Sequence, residues 1–211
     1  MTPNEPTVFI VDDDESIRDS LSALLEASGF RVEAFESARD FLAADALDRK
    51  GCVIADIRMP DMDGLELQTE MKKRGSRLPV IVVTGHGDIP LAVRAMKVGA
   101  VDFLEKPYDA AALLQSIRTA LQAPAKMEDA PGPSPEVQER LKSLTPRERE
   151  VLDLVLAGKL NKIIAYELMI SPRTVEIHRG RVMQKMGARN LPDLIRMFVS
   201  GQAGLASVKG R

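Results

Sequence analysis

The chain contains a single cysteine, Cys52, among 211 residues. No disulfide can form within it. Cys52 stands in an apolar run, where a small buried hydrophobe is the simplest reading. Histidine is almost as scarce, with two residues. His86 lies alone between Gly85 and Gly87 and is read as structural or exposed, outside any site. No apolar run approaches the roughly 20 residues that a membrane span needs, so no membrane partner is expected. Acids follow Val8–Val11 at once, so no secretory signal is expected at the N-terminus. A reducing, bacterial-type cytoplasm is the expected compartment.

What is present is charge, unevenly spread. Charged residues are 28% and hydrophobic ones 45%, the balance of a soluble globular protein with real cores. The length allows one large domain or two small ones. Residues 1–122 carry 14 Lys+Arg against 21 Asp+Glu, a balance of −7. Residues 123–211 carry 15 against 10, a balance of +5. An acidic half joined to a basic half suggests a metal or phosphate switch coupled to a polyanion binder.

The acidic half is organised around Gly51–Pro60. The apolar residues Cys52, Val53, Ile54 and Ala55 run into Asp56, and Pro60 closes the segment. Such a run reads as a strand buried on both faces. Three more runs behave alike: Val8–Val11 into Asp12, Asp13 and Asp14; Pro79–Val83 into Thr84; and Val101–Leu104 into Glu105, Lys106 and Pro107. In open α/β sheets ligands bind beyond the carboxyl ends of the strands. Several carboxylates at one such edge repel unless a hard divalent cation is bound. A Thr and a Lys beside them can hold an anion, with an Asp as acceptor or nucleophile. This is the equipment needed to phosphorylate a carboxylate.

Helices separate the strands. Leucines at helical spacing from Glu15 to Ser28 follow Asp14, a ready N-cap. Arg31–Phe35 reads as a short strand. Ser37 can cap a helix from Ala38 to about Ala46. Asp63 and Gly64 open a third helix, Ile89–Val98 forms a fourth, and Asp109 to about Gln122 a fifth. Strands alternating with helices predict a parallel sheet covered on both faces.

The strings V-D-D-D, D-I-R-M-P-D-M-D-G, V-T-G-H-G and F-L-E-K-P resemble the receiver domain of two-component response regulators, over roughly the first three-fifths of the chain. The resemblance implies a flavodoxin-like sheet of order 2-1-3-4-5, with Asp56 as phosphoacceptor. It implies Mg²⁺ held by Asp13, Asp56 and the backbone carbonyl of Arg58, with Asp12 binding directly or one layer out. Lys106 and Thr84 would take phosphoryl oxygens, and the Lys106–Pro107 peptide would be cis. Phe103 matches the aromatic switch position. Without a hydroxyl, it would work through packing.

Pro124, Pro131, Gly132 and Pro133 mark a linker, taken as residues 123–140 between a receiver at 1–122 and a second domain at 141–211. A short helix is expected over Glu136–Leu144. Thr145, Pro146 and Glu148 then form a capping box, with Val151, Leu152, Val155 and Leu156 as the apolar face behind it. A helix from Asn161 to about Met169 turns Ile163, Ile164 and Leu168 inward. Ser171 caps and Pro172 opens the next, to about Met186, with Val175, Val182 and Met186 as its buried stripe. A last helix runs from Leu191 to about Ser200. Short helix, tight turn and capped basic helix make a helix-turn-helix.

The strings N-K-I-I-A and R-T-V-E-I-H-R resemble the LuxR-type effector domain joined to receivers in the FixJ and NarL group, over Leu144–Val199. By that resemblance Arg173, Thr174, Glu176, Ile177, Arg179 and Gly180 would lie near DNA, and Lys162 near phosphate. Glu176 could accept from a cytosine amine or orient an arginine. Gly180 leaves a gap where some relatives carry a long polar side chain.

The reading is a FixJ-type response regulator without substrate turnover of its own. A histidine kinase phosphorylates Asp56, receivers form a homodimer, and paired effector domains bind promoter DNA, with RNA polymerase a further candidate partner. Leu91, Arg94 and Val98 follow the i, i+3, i+7 rule on one helix face and are the candidate dimer surface. Two alternatives remain. A haloacid-dehalogenase-like phosphatase would carry a second Asp where Arg58 stands. A constitutive regulator using its receiver only as a scaffold would not need the full set of Asp12, Asp13, Asp56, Thr84 and Lys106.

Overall fold

The computed structural model describes residues 6–85, 89–122 and 134–199. His86 and residues 123–133 of the expected linker lie outside the described residues. The chain forms two compact units.

The first contains five parallel strands: β1 (Thr7–Val11), β2 (Arg31–Phe35), β3 (Gly51–Asp56), β4 (Val80–Thr84) and β5 (Asp102–Glu105). Their order is β2-β1-β3-β4-β5, as the resemblance implied. Every residue of β1 and β4 is buried, which is why these strands read as unbroken apolar runs. Between them in sequence run α1 (Glu15–Ala27), α2 (Ala38–Ala43), α3 (Gly64–Lys73) and α4 (Ile89–Val98), and α5 (Ala110–Gln122) follows β5. Val8, Ile10, Cys52, Ile54, Ile81 and Val83 meet Leu21 and Leu25 of α1 and Leu113 and Ile117 of α5. Alternate residues face the other way. There Phe9 packs on Phe41 of α2, ring centroids 5.7 Å apart. Burial pushes the Cys52 thiol up to about 12, so it serves as a small apolar group.

Caps set the helix starts. Asp14 accepts the Ser16 amide at 2.8 Å, Ser37 that of Asp40, and Asp63 forms a full capping box with Glu66. α2 ends at Ala43, earlier than the expected Ala46, because Ala44 takes an extended ψ of 151°.

The second unit holds α6 (Pro135–Lys142), α7 (Pro146–Leu156), α8 (Asn161–Leu168), α9 (Pro172–Met186) and α10 (Leu191–Val199), and residues 89–97 of α4 group with it. Val137 of α6 is buried with Val151, Leu152, Val155, Ile164, Val175, Val182, Met186 and Leu194. This core therefore begins before residue 141, where the sequence reading started the domain. Ile163 also differs from expectation. It is 47% exposed, because Ile164, Ala165 and Leu168 define the inward arc of α8 and Ile163 lies about 100° outside it.

Glu148 ties this unit together. Its carboxylate accepts the Thr145 amide at 2.8 Å and the Lys185 ammonium at 2.7 Å, while its side chain is buried. The Lys185 hydrogen bond, with the Thr145 backbone next, lowers its pKa from 4.5 to about 2. A depressed acid contributes stability above its unfolded value, and that contribution fades as pH falls from about 4.5 toward 2. Glu148→Gln is expected to cost about 1–3 kcal/mol at pH 7, read as a lowered urea midpoint. The gap from wild type should shrink as pH falls through that window; a constant gap would deny the linkage.

Candidate functional site

Register builds the first site. Val11 pairs with Ala55, which brings Asp12 alongside Asp56 at the sheet's carboxyl edge. Thr84 pairs with Glu105, so Lys106 emerges one residue beyond. The amide of Lys106 donates to the Thr84 carbonyl at 2.7 Å, and the Lys106–Pro107 peptide is cis.

The Lys106 ammonium bridges two carboxylates, 2.7 Å from Asp56 Oδ1 and 2.9 Å from Asp12 Oδ2. The other Asp56 oxygen accepts the Arg58 amide at 2.7 Å. Asp12 also accepts the Asp14 amide, and its carbonyl accepts Arg18. Asp12, Asp56 and Thr84 are buried, whereas Asp13 is exposed. Desolvation raises the Asp56 pKa, with Asp12 adding to it and Lys106 opposing. For Lys106, burial alone would lower the pKa, but the Asp56 and Asp12 hydrogen bonds outweigh it and raise it. The Thr84 hydroxyl donates to the Gly85 carbonyl over a long 3.4 Å.

A divalent cation fits this donor set. Asp12 and Asp56 meet here through hard carboxylate oxygens suited to Mg²⁺-type ions, and Asp13 follows Asp12 in sequence. Among the described residues no three acidic, His or Cys side chains enclose a point. Backbone, water or phosphoryl oxygens would have to complete the coordination. One distinction was missed in sequence: Asp12, rather than Asp13, shares Lys106 with Asp56.

Gly64 is a further element of the site that spacing alone did not single out. It begins α3 against the end of β3, and a Cβ there would lie 2.4 Å from the Asp56 carbonyl oxygen. Only glycine lets the helix start so close to the strand that carries Asp56.

Phe103 is half-buried and pairs in register with Val82. On α4, Ala92, Val93, Ala95 and Met96 are buried, Leu91 and Val98 are half-buried, and Arg94 is exposed.

The second site is the α8–α9 pair. Ser171 caps α9, accepting the Thr174 amide at 3.1 Å, and the two hydroxyls lie 2.8 Å apart, so Thr174 is engaged at the turn. Arg173, Glu176, Ile177, Gly180 and Arg181 are exposed on α9, and Lys162 is exposed on α8. A Cβ on Gly180 would meet nothing within 4 Å, so the fold does not require glycine there. Arg179 does not join that exposed face. It stands four residues after Val175 and three before Val182, on the buried stripe, and its guanidinium donates to Asn161 Oδ1 at 2.6 Å.

Comparison with known proteins agrees with both halves. Residues 8–118 match the response regulator receiver domain, and residues 142–198 match the bacterial regulatory proteins of the luxR family. The transcriptional regulatory protein FixJ of Azorhizobium caulinodans is 49% identical, over 92% of each chain. The response regulator protein TodT of Pseudomonas putida is 44% identical, over 93% of this chain and 87% of its own. The crystal structure of full-length FixJ from B. japonicum, 45% identical, matches with a TM-score of 0.55 over 92% of this chain and 96% of that one. No described helix is long and apolar enough to cross a membrane. The chain therefore belongs to the two-component response regulators of the FixJ group, in which a receiver domain that is phosphorylated with a divalent metal is joined to a LuxR-family DNA-binding domain, so that transcription depends on phosphorylation.

Proposed function

We propose that Asp56 takes the phosphoryl group from a histidine kinase with Mg²⁺ as the metal, that the phosphorylated receiver dimerises, and that the paired α8–α9 elements then bind promoter DNA in the cytoplasm, with RNA polymerase a further candidate partner. The domains would divide as a receiver to residue 122, a linker from 123, and a helical DNA-binding domain that includes α6. The Lys106 bridge between Asp12 and Asp56 supports this most directly. It supplies a buried carboxylate nucleophile with an adjacent cation able to follow the incoming charge.

In the transfer, an Asp56 oxygen attacks phosphorus as the phosphorus–nitrogen bond to the kinase histidine breaks. Lys106 leaves Asp56 Oδ1 for a phosphoryl oxygen, a charge-assisted contact. The Thr84 hydroxyl exchanges its long Gly85 bond for another phosphoryl oxygen. Bound Mg²⁺ would reduce the repulsion between carboxylates and phosphoryl oxygens. Asp12, Asp13, Asp56 and the Arg58 carbonyl would hold it. Nothing in this arrangement calls for a separate substrate to be turned over. The dehalogenase-like alternative lacks its second acid, since Arg58 occupies that place.

On DNA, Lys162 would contact phosphate, and Arg173, Glu176, Ile177 and Gly180 would face base edges, with Thr174 at the turn beside them. The test is selection from a random DNA pool by the full chain, with and without Mg²⁺ and acetyl phosphate. One recurrent sequence, bound more tightly after phosphorylation, is expected. Equal affinity in both conditions would favour a constitutive regulator.

A further inference from the structure

The arginine that turns away from the exposed face of α9 leaves a question: what does a half-buried guanidinium do inside a helix-turn-helix? Arg179 shares a small apolar cleft with Val151, Val155, Val182 and Leu194. Its hydrogen bond runs to Asn161 Oδ1 at 2.6 Å, and Asn161 is the first residue of α8. The preceding Leu160, at the N-cap position, provides no side-chain cap. The start of α8 is thus unheld by the usual capping bond, while an arginine from α9 grips its first side chain. Lys162 follows Asn161 by one residue and is exposed.

We propose that Arg179 is a positioning residue for DNA binding: through Asn161 it fixes the start of α8, and with it Lys162, against the DNA-facing side of α9. The proposal rests on the reading of α8–α9 as a DNA-binding element. It replaces base contact by Arg179 with control of the spacing between a phosphate contact on one helix and base contacts on the other. In helix-turn-helix proteins the first helix crosses the DNA backbone while the second enters the groove. A strut between the two therefore decides whether both contacts can be made at once. Burial lowers the Arg179 pKa and Glu176 opposes the change, consistent with a side chain placed inside the domain; arginine remains charged throughout.

The experiment uses the full chain, phosphorylated with acetyl phosphate and Mg²⁺, and measures affinity for its selected DNA and for random DNA over a series of salt concentrations. Thermal midpoints are recorded for every variant. Arg179→Ala and Asn161→Ala should each weaken both DNAs by about tenfold. Each should also reduce the salt slope by about one unit, the signature of one lost phosphate contact. The double variant should be no weaker than either single one, and Lys162→Ala should add little to Arg179→Ala. A base-reading arginine would behave differently: Asn161→Ala would bind like wild type, and Arg179→Ala would lose affinity only on the selected DNA. Either result overturns the proposal. A purely structural role would lower the thermal midpoint and affinity with the salt slope unchanged, which overturns it too. If wild type itself binds neither DNA, the DNA-binding reading falls and takes the proposal with it, an outcome visible before any variant is compared.

Discussion

Asp56→Asn is expected to give no phosphoryl adduct when incubated with Mg²⁺ and acetyl phosphate, while wild type gains one, both read by intact mass. Three acids approach this sheet edge, and geometry separates them. Asp13 is exposed and makes no contact with Lys106. Asp12 touches Lys106 as well, at 2.9 Å, but it follows β1, which is not a neighbour of β4 in the sheet. Asp56 lies closest to the ammonium, at 2.7 Å. The strand that carries it pairs with β4, and β4 ends in Thr84. Asparagine keeps the acceptor for the Arg58 amide and nearly the same volume, so the fold should survive and the loss should be chemical. Removing one carboxylate also leaves Lys106 paired with Asp12 alone, which avoids an unpaired buried cation. An adduct of full stoichiometry on Asp56→Asn, mapped to Asp12 or Asp13, would sink the assignment.

The features legible in sequence are those that short-range chemistry decides. Apolar runs ending in an acid or a hydroxyl announce β1, β3 and β4 and place Asp12, Asp56 and Thr84 at one edge. Asp14, Ser37, Asp63, Thr145 and Ser171 cap the helices they were expected to cap. What escaped depends on partners distant in the chain. The sharing of Lys106 between Asp12 and Asp56 follows from the Val11–Ala55 register, which no single strand reveals. The Glu148–Lys185 bridge joins residues 37 positions apart; the capping box predicted Glu148 at the turn but not its second bond. The inclusion of α6 in the helical core turns on Val137 meeting that core, against a proline-rich stretch that read as linker.

The half-burial of Arg179 is a different case, since its signal is present in the sequence. The stripe Val175, Val182 and Met186 was recognised, and position 179 falls on it by the same 3.6-residue count. The charge type of Arg179 suggests DNA, while its phase on the helix accounts for its half-burial and its bond to Asn161. Ile163 is the reverse case, an apolar residue assigned inward by type while its phase pointed out. In both cases the angular position on the helix outranks the chemistry of the side chain, because the backbone fixes direction before the side chain can choose.

Val98→Asp is expected to abolish dimerisation on phosphorylation while leaving phosphoryl acceptance by Asp56 intact. Sedimentation velocity, with and without phosphodonor, is the measurement. The path along the chain from the site to α4 is short. Thr84 ends β4, and its carbonyl receives the Lys106 amide from the end of β5, so a shift that brings the Thr84 hydroxyl and Lys106 onto a phosphoryl group moves both strands at once. β5 in turn is tied to α5, the Ser116 hydroxyl donating to Asp102 Oδ2 at 2.6 Å, and the half-buried Phe103 follows Asp102 in the same strand. α4 lies between β4 and β5 in sequence. Its buried side is Ala92, Val93, Ala95 and Met96, which leaves Leu91, Arg94 and Val98 on a second face with two apolar side chains about an arginine. Scattered surface apolars are common; what favours a partner is that this face belongs to the helix between the two strands that respond to phosphate. A two-fold dimer places the same face of each copy against the other, and would deliver two α8–α9 elements to DNA half-sites about one turn apart. An aspartate at Val98 then appears on both sides of the interface. Burying two such aspartates, each offset only in part by the exposed Arg94 four residues earlier, costs roughly 3 kcal/mol, enough to weaken association by about a hundredfold. Wild type should shift to dimer with phosphodonor, and Val98→Asp should remain monomeric with its adduct formed. If Val98→Asp dimerises as well as wild type, the receivers meet through another surface.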